Sequence, residues 1–325
     1  MSSFLLYALG AAGLGGVYAL DRMANTVVRP PPRPADRSVR DLRSSYEELR
    51  IPSGDHQLGA WLLPAEREDD GRPAPHEGAA APGEGGAGAR EAGAGASEAG
   101  PAADEARATA GRPLVLLAHG WGASHSIVLR LAEPLVRRGY DVLLFDVRGH
   151  GGNAPLPYVT VRCFRDDLVA VIEHARRRFP GRRIVVAGHS FGGAAAVLAA
   201  ADGAAIDGLV LIATPSDVVR ITAEYLTSRG MPGALVVAAL RPFWWRRVGG
   251  TFLRLTPSRR IRELDLPLLI IQPELDMRVA RTHAERLAAA AGVDYHLVPG
   301  SEHTDVLEAP MTLRLIDEFL EGMPM

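Results

Sequence analysis

The strongest constraint on the fold is the alternation of short, mostly apolar runs with stretches of helical periodicity along the chain. Apolar runs of this kind fit strands buried on both faces of a sheet, and the helical stretches fit helices that cover those faces. The alternation therefore predicts an α/β fold with a mostly parallel eight-stranded sheet and helices on both sides. Strands are predicted at residues 46–51, 58–63, 114–118, 142–147, 184–187, 209–213, 266–271 and 295–298. The first two flank Gly54 at close spacing, which favours an antiparallel hairpin at one edge.

A run of 17 residues without charge, residues 4–20, lies near the start of the chain. At about 1.5 Å per helical residue it nearly crosses a bilayer core of ~30 Å, which predicts a membrane anchor. Six Arg residues follow before position 44, and the positive-inside rule then places the catalytic domain in the cytoplasm. Residues 1–43 are interpreted as this anchor and a Pro/Arg-rich spacer. A cleaved signal peptide of a secreted protein and a buried or peripheral helix are the alternatives.

Residues 65–112 differ in composition from the rest of the chain. These 48 residues include 16 Ala and 10 Gly and contain no Val, Ile, Leu, Met or aromatic residue. Such a segment buries too little apolar surface to offset the entropy of ordering, so it is predicted to be a disordered insert. Residues 83–88 match the dinucleotide-binding pattern G-x-G-x-x-G, but no strand precedes them and no apolar helix follows. The folded domain is predicted to be residues 44–323, interrupted by this insert.

Composition excludes several classes of function. All 36 basic residues are Arg, so phosphate loops, pyridoxal-phosphate Schiff bases and Ser-x-x-Lys hydrolases, which all need Lys, are ruled out. The formal net charge of -2 gives no reason to expect a nucleic-acid partner. Cys163 is the sole cysteine, which excludes internal disulfides and Cys-rich metal sites.

The motif with the clearest chemistry is G-x-S-x-G at residues 188–192, read as GHSFG. It follows the predicted strand 184–187 and precedes a helical stretch from residue 193. A Ser at such a strand-to-helix turn has a strained backbone, and the flanking Gly residues permit close approach of the neighbouring chain. The N-terminus of the following helix points its free N–H groups at the place where an oxyanion forms. Ser190 is therefore the predicted nucleophile.

A second motif is HGWG at residues 119–122, directly after the strand 114–118. With GHSFG it resembles the α/β-hydrolase family, in which His-Gly after the third strand precedes a residue that completes the oxyanion hole. By position, the resemblance implies that the backbone N–H groups of Trp121 and Phe191 are the oxyanion donors. His119 is then interpreted as structural. Residues 146–151 (DVRGHG) resemble a loop-shaping stretch of this family, and His150 is interpreted as a loop residue.

A hydrolytic Ser needs a base to take its proton and an acid to orient that base. The resemblance implies the chain order Ser, acid, His, with the acid after the seventh strand and the His after the eighth. Asp276 and His303 are the predicted acid and base on this ground. Glu274 and Asp217 are alternative acids, and the other His residues beyond Asp276 lie in a helix and a strand (His283 and His296). Pro273 replaces the Gly that the family usually carries three residues before the acid.

These residues predict a serine hydrolase that cleaves a small-molecule carboxylic ester or thioester through an acyl-enzyme on Ser190. The reaction needs no metal and no organic cofactor. The resemblance implies a helical cap at residues 216–265, whose apolar stretches at 234–240 and 243–247 favour a substrate with an apolar acyl group. An acyltransferase with the same triad and a non-catalytic binding protein of this fold are the alternatives, since a fold alone does not fix function.

Overall fold

A computed structural model describes residues 3–31, 37–42, 45–66, 111–249 and 252–323, with side chains from residue 15 onward. The strands of the described residues form one sheet in the order β1-β2-β4-β3-β5-β6-β7-β8. The strands are β1 (Glu47–Ser53), β2 (His56–Leu63), β3 (Leu114–Ala118), β4 (Val142–Phe145), β5 (Ile184–His189), β6 (Gly208–Ile212), β7 (Leu268–Pro273) and β8 (His296–Val298). All eight overlap the predicted strands.

The sheet is mixed at one edge and parallel elsewhere. Strands β1 and β2 form an antiparallel hairpin, and β2 also pairs antiparallel with β4. All pairs from β4 through β3 to β8 are parallel. The predicted mostly parallel sheet and the edge hairpin are thus confirmed.

Helices connect the strands and cover both faces of the sheet. They are α1 (Ser3–Val27), α2 (His125–Arg137), α3 (Val161–Arg178), α4 (Phe191–Ala201), α5 (Val218–Ser228), α6 (Gly233–Val248), α7 (Pro257–Arg260), α8 (Arg281–Ala291) and α9 (Pro310–Glu321). Strand β3 is buried along its whole length, and its alternate residues point to opposite faces. Val115 and Leu117 pack in one apolar cluster with residues of α2 and α9, whereas Leu114 and Leu116 pack in another with residues of α3 and α4.

The predicted membrane anchor is wrong. Across the described residues, no helix combines the length and apolar character needed to cross a bilayer. The end of α1 instead carries Asp21 and Arg22 and lies against the protein itself, with Ala24 fully buried beside α6. The predicted cytoplasmic placement of the catalytic domain depended on this anchor and therefore loses its basis. Part of the predicted spacer, residues 32–36, lies outside the described residues.

Two further predictions concern segments within the domain. The predicted disordered insert lies outside the described residues between positions 67 and 110. The predicted cap segment, residues 216–265, contains α5, α6 and α7 together with two 3₁₀ turns, Phe252–Leu255 and Ile261–Glu263. Helices α5 and α6 pack on α4 through Val218, Leu240 and Trp244. This places the segment beside α4, the helix that begins directly after Ser190.

Candidate active site

Ser190 occupies the sharp turn between β5 and α4, in a backbone conformation that is unusual for a residue with a side chain. Its φ is 56° and its ψ is -120°, in the region of positive φ that favours glycine. Gly residues on both sides permit the turn. A methyl group on Gly188 would lie 2.5 Å from Gly193 Cα, and one on Gly192 would lie 2.2 Å from the carbonyl oxygen of Ala118. The motif therefore builds a tight turn that presents the Ser190 side chain at the end of the sheet.

The loop after β3 lies directly against Ser190. A methyl group on Gly120 would stand 2.9 Å from Ser190 Cβ and 3.4 Å from Ser190 Oγ. The backbone of Trp121, the residue after Gly120, therefore lies close to Ser190. Phe191 is the first residue of α4, where backbone N–H groups have no partner within the helix. The structure thus brings both predicted oxyanion donors to the neighbourhood of Ser190.

Two buried histidines brace the loop that carries Trp121. His119 Nε2 accepts a hydrogen bond from Val147 N at 3.0 Å, and His150 Nε2 accepts one from Gly122 N at 3.0 Å. In each ring Nδ1 donates to a carbonyl of its own loop. Burial and the neighbouring His119 lower the pKa of His150 to about 3, and burial also lowers the pKa of His119. Both rings are therefore neutral, and they link the loop after β3 reciprocally to the loop after β4.

The carboxylate of Asp146 fixes the shape of the second of these loops. Its Oδ1 accepts hydrogen bonds from the backbone N and the Nδ1 of His125, at 2.6 and 3.0 Å, and its Oδ2 accepts one from Gly152 N at 3.1 Å. Burial favours the neutral acid, but the bonds from His125 outweigh it and hold the pKa of Asp146 below its usual value. A methyl group on Gly151 would lie 1.8 Å from Oδ2, so the loop folds tightly around the carboxylate.

Asp276 and His303 meet at the carboxyl ends of β7 and β8. His303 Nδ1 donates to Asp276 Oδ2 at 2.8 Å, and both side chains are buried. Asp276 Oδ1 accepts from the backbone N–H groups of Arg278 at 2.8 Å and of Val279 at 2.9 Å. The loop that carries Asp276 therefore fixes its carboxylate. Because the carboxylate is bonded to Nδ1 of His303, Nε2 of that ring takes no part in the bond.

Within the described residues, the hydroxyl of Ser190 makes no hydrogen bond, to His303 or to any other group. Hydrogen bonds of this kind are often long in free enzymes and shorten when substrate binds. The chain order of Ser, acid and His in the α/β-hydrolase family predicts that Asp276 and His303 act together, and the structure pairs them. It brings Ser190 to the same end of the sheet.

His189 has a position that the sequence analysis missed. Its ring lies 4.7 Å from the ring of His303, centroid to centroid. Its Nε2 donates to the carbonyl oxygen of His303 at 2.8 Å. Burial and the neighbouring His303 lower the pKa of His189 to about 3, so this ring is neutral. No local pattern marks the contact, because the two residues are 114 positions apart.

The alternative acids and bases have other partners. Glu274 accepts from Gly300 N at 2.8 Å, which supports the turn that leads to His303. Asp217 caps α5 by accepting from Val219 N and Arg220 N. His296 lies exposed in β8.

His283 belongs to a separate cluster under the cap segment. Its Nδ1 accepts from Ser216 N at 3.0 Å and lies 2.9 Å from Ser216 Oγ, while its Nε2 donates to Glu224 on α5 at 2.9 Å. Burial favours the neutral acid, but the bonds from His283 and Arg220 hold the pKa of Glu224 below its usual value. Ser216 and His283 are fully buried, so this Ser–His–Glu set clamps α5 to α8 and has no access to substrate.

Aromatic side chains surround the two predicted donors. Trp121 meets Tyr225 of α5 edge to face, with ring centroids 6.3 Å apart. Phe191 meets Phe164 of α3 in the same manner at 6.0 Å. The loop after β3 therefore contacts the predicted cap through apolar surfaces, and the turn at residues 188–192, which we call the elbow, contacts α3 in the same way.

Comparisons with known proteins find relatives and solved structures of hydrolases. A family model described as serine aminopeptidase, S33, matches residues 109–240, which span both the loop after β3 and the elbow. The uncharacterized protein Rv2307c of Mycobacterium tuberculosis is 32% identical over 219 residues, which cover 64% of this chain and 69% of that protein. The AB hydrolase superfamily protein YisY of Bacillus subtilis is 32% identical over 105 residues, or 31% of this chain and 37% of that protein.

The chain belongs to the α/β-hydrolase family. Solved structures show the same fold for this hydrolase. The esterase Pf2001 of Pyrococcus furiosus has a TM-score of 0.62 at 18% identity, covering 91% of this chain and all of that one. The acylaminoacyl peptidase of Pyrococcus horikoshii has a TM-score of 0.55 at 15% identity, covering 88% of this chain and 43% of that one. The predicted fold and the prediction of an α/β-hydrolase enzyme are thus confirmed.

Proposed function

We propose that this α/β-hydrolase cleaves carboxylic esters or thioesters through an acyl-enzyme on Ser190. The observation that carries the proposal is the conjunction of two features at one end of the sheet. Ser190 stands on a turn of positive φ at the start of α4, and the His303–Asp276 pair stands on the neighbouring loops. A nucleophile on such a turn and a base oriented by an acid are the elements that acyl transfer requires.

In the proposed mechanism, Nε2 of His303 takes the proton of Ser190 Oγ as that oxygen attacks the substrate carbonyl. The negative charge on the carbonyl oxygen is stabilised by the N–H groups of Trp121 and Phe191. His303 then gives its proton to the leaving alcohol or thiol. Water enters, loses a proton to His303 and attacks the acyl-enzyme, and the proton returns to Ser190. Asp276 stabilises the charged imidazole throughout.

The surroundings of Ser190 favour an acyl group that is apolar. Trp121, Phe191 and Tyr225 present aromatic surface around the proposed oxyanion donors. A bound apolar chain gains about 0.8 kcal/mol per buried methylene, which favours longer acyl groups as long as they fit.

Hydrolysis of an amide is the second candidate. The matching family model is described as a serine aminopeptidase, and the same nucleophile, base and oxyanion donors serve amide cleavage. An amide leaving group has to be protonated by His303 before it departs. Activity on aminoacyl p-nitroanilides that exceeds activity on matched esters would favour this candidate.

Labelling with a fluorophosphonate tests the assignment of Ser190. The unmodified protein is expected to react, and Ser190→Ala is expected to abolish the reaction while leaving the fold unchanged by circular dichroism. Equal labelling of Ser190→Ala would refute the assignment. A panel of esters, thioesters and anilides then defines the substrate class, and product analysis with an added alcohol acceptor separates hydrolysis from acyl transfer.

A further inference from the structure

The end of α1 and the residues that follow it are fastened to helix α6. We call residues 21–31 the N-terminal strap. Trp244 Nε1 donates to the carbonyl oxygen of Ala24 at 2.8 Å, and both residues are buried. Arg247 donates to Asn25 Oδ1 at 2.7 Å and to Asp21 Oδ1 at 2.8 Å. Bonds across more than 200 positions thus hold the strap to the predicted cap.

Beyond α1, the strap continues to the loop that carries Trp121. The carbonyl oxygen of Val28 accepts from Val159 N at 2.8 Å, which ties the strap to the segment before α3. Three residues later, Pro31 lies so close to Gly122 that a methyl group there would stand 3.1 Å from the ring of Pro31. The strap therefore ends beside the residue that follows Trp121.

The apolar side chains of the strap lie with those of the elbow. Val27 and Val28 pack, partly buried, against the same apolar cluster as Phe191 and Val219, the latter on α5. The strap thus shares an apolar cluster with Phe191 and lies against Gly122, the residue after Trp121. An acyl group on Ser190 that extended over this cluster would meet Val27 and Val28.

We infer that the N-terminal strap is a specificity-determining wall of the substrate site, and that Val27 and Val28 limit the length of the acyl chain. This inference rests on the proposed function, since it concerns the acyl group carried by Ser190. It adds a role for a segment that precedes the hydrolase fold in sequence and contains neither the nucleophile nor its partners.

Substitutions that reduce or enlarge the side chains of the strap test the inference. Val27→Ala/Val28→Ala removes two carbon atoms from each side chain, and Val28→Phe adds bulk. On p-nitrophenyl esters from acetate to palmitate, the first variant is expected to prefer acyl chains longer by about two carbons or more, with about a fourfold gain in kcat/KM for each additional methylene accommodated. Val28→Phe is expected to shift the preference towards shorter chains. Val17→Ala, on the 54% exposed Val17 of α1, is the control and is expected to leave the profile unchanged.

A second measurement does not depend on turnover. Calorimetry measures the binding of straight-chain carboxylates of four to fourteen carbons. The chain length at which affinity stops rising is expected to shift in the same direction as the ester profile. If neither variant moves either profile while thermal unfolding shows both to be folded, the strap is structural only and the inference is refuted. Failure of the proposed function looks different, because the unmodified protein would then neither hydrolyse the esters nor react with a fluorophosphonate, while the carboxylate series would still report on the strap.

Discussion

Replacing Asp276 with Asn is expected to inactivate the hydrolase through the orientation of a single amide. Asp276 Oδ1 accepts two backbone N–H groups, from Arg278 and Val279, at 2.8 and 2.9 Å. These donors will hold the amide oxygen of Asn in the same place. The NH₂ group must then occupy the position of Oδ2, which lies 2.8 Å from His303 Nδ1.

An NH₂ group at that position donates to His303 Nδ1 and so forces the proton of the ring onto Nε2. The ring nitrogen that should accept the proton of Ser190 then carries one already. A loss of about 10³–10⁴ in kcat follows from the wrong tautomer, or about 4 to 5.5 kcal/mol of transition-state stabilisation. The fold should be almost unaffected, because every hydrogen bond of Asp276 keeps a partner.

Asp276→Ala is the matched control. It leaves two backbone N–H groups without their acceptor, which costs about 1–3 kcal/mol of unfolding free energy, but it imposes no tautomer on His303. Asn is therefore expected to be as inactive as Ala or more so, yet more stable to urea. Steady-state kinetics on p-nitrophenyl esters and urea unfolding measure the two quantities. An Asn variant that retains clearly more activity than the Ala variant would refute the orientation argument.

Three further predictions concern the elements around the site. Gly192→Ala is expected to destabilise the protein by about 1–3 kcal/mol or more in urea unfolding, because its methyl would meet a backbone oxygen at 2.2 Å, whereas Gly152→Ala, with nothing within 4 Å, is expected to be nearly neutral. His150 and His189 have pKa values of about 3 in the folded protein against a usual 6.5, so the unfolded chain binds more protons in this window. Stability should accordingly fall as the pH is lowered from about 6.5 towards 3, and His150→Gln, which keeps an acceptor and cannot titrate, should make the urea midpoint fall less steeply. Glu224→Gln is expected to weaken the clamp on α5, seen as faster hydrogen exchange in that helix while the sheet is unchanged.

Most of the fold follows from local sequence patterns. Apolar runs and helical periodicity located every strand, since burial on both faces of a sheet leaves a clear local pattern. Boundaries were less exact. The seventh strand was predicted from Leu266, but pairing begins at Leu268, after a proline that has no N–H group to donate to the sheet.

The residues of the site could be predicted from the sequence where they lie within short motifs. The elbow at Ser190 depends on five consecutive residues and the elements beside them, so its unusual φ follows from sequence. The pairing of Asp276 with His303 came from the resemblance to a family, because no local pattern joins residues 27 positions apart. The contact of His189 with His303 and the reciprocal bonds of His119 and His150 depend on how separate loops pack.

The N-terminal run shows most clearly what each level decides. Residues 4–20 carry no charge and favour a helix, and both features can be predicted because they are properties of the segment alone. The place where the continuation of that helix lies depends on tertiary packing, because the groups that hold it, Trp244 and Arg247, are more than 200 positions away. Hydropathy measures the tendency of a segment to leave water. It does not distinguish a bilayer from the surface of the same protein, since that choice depends on distant side chains that match the segment in shape and in hydrogen-bonding groups.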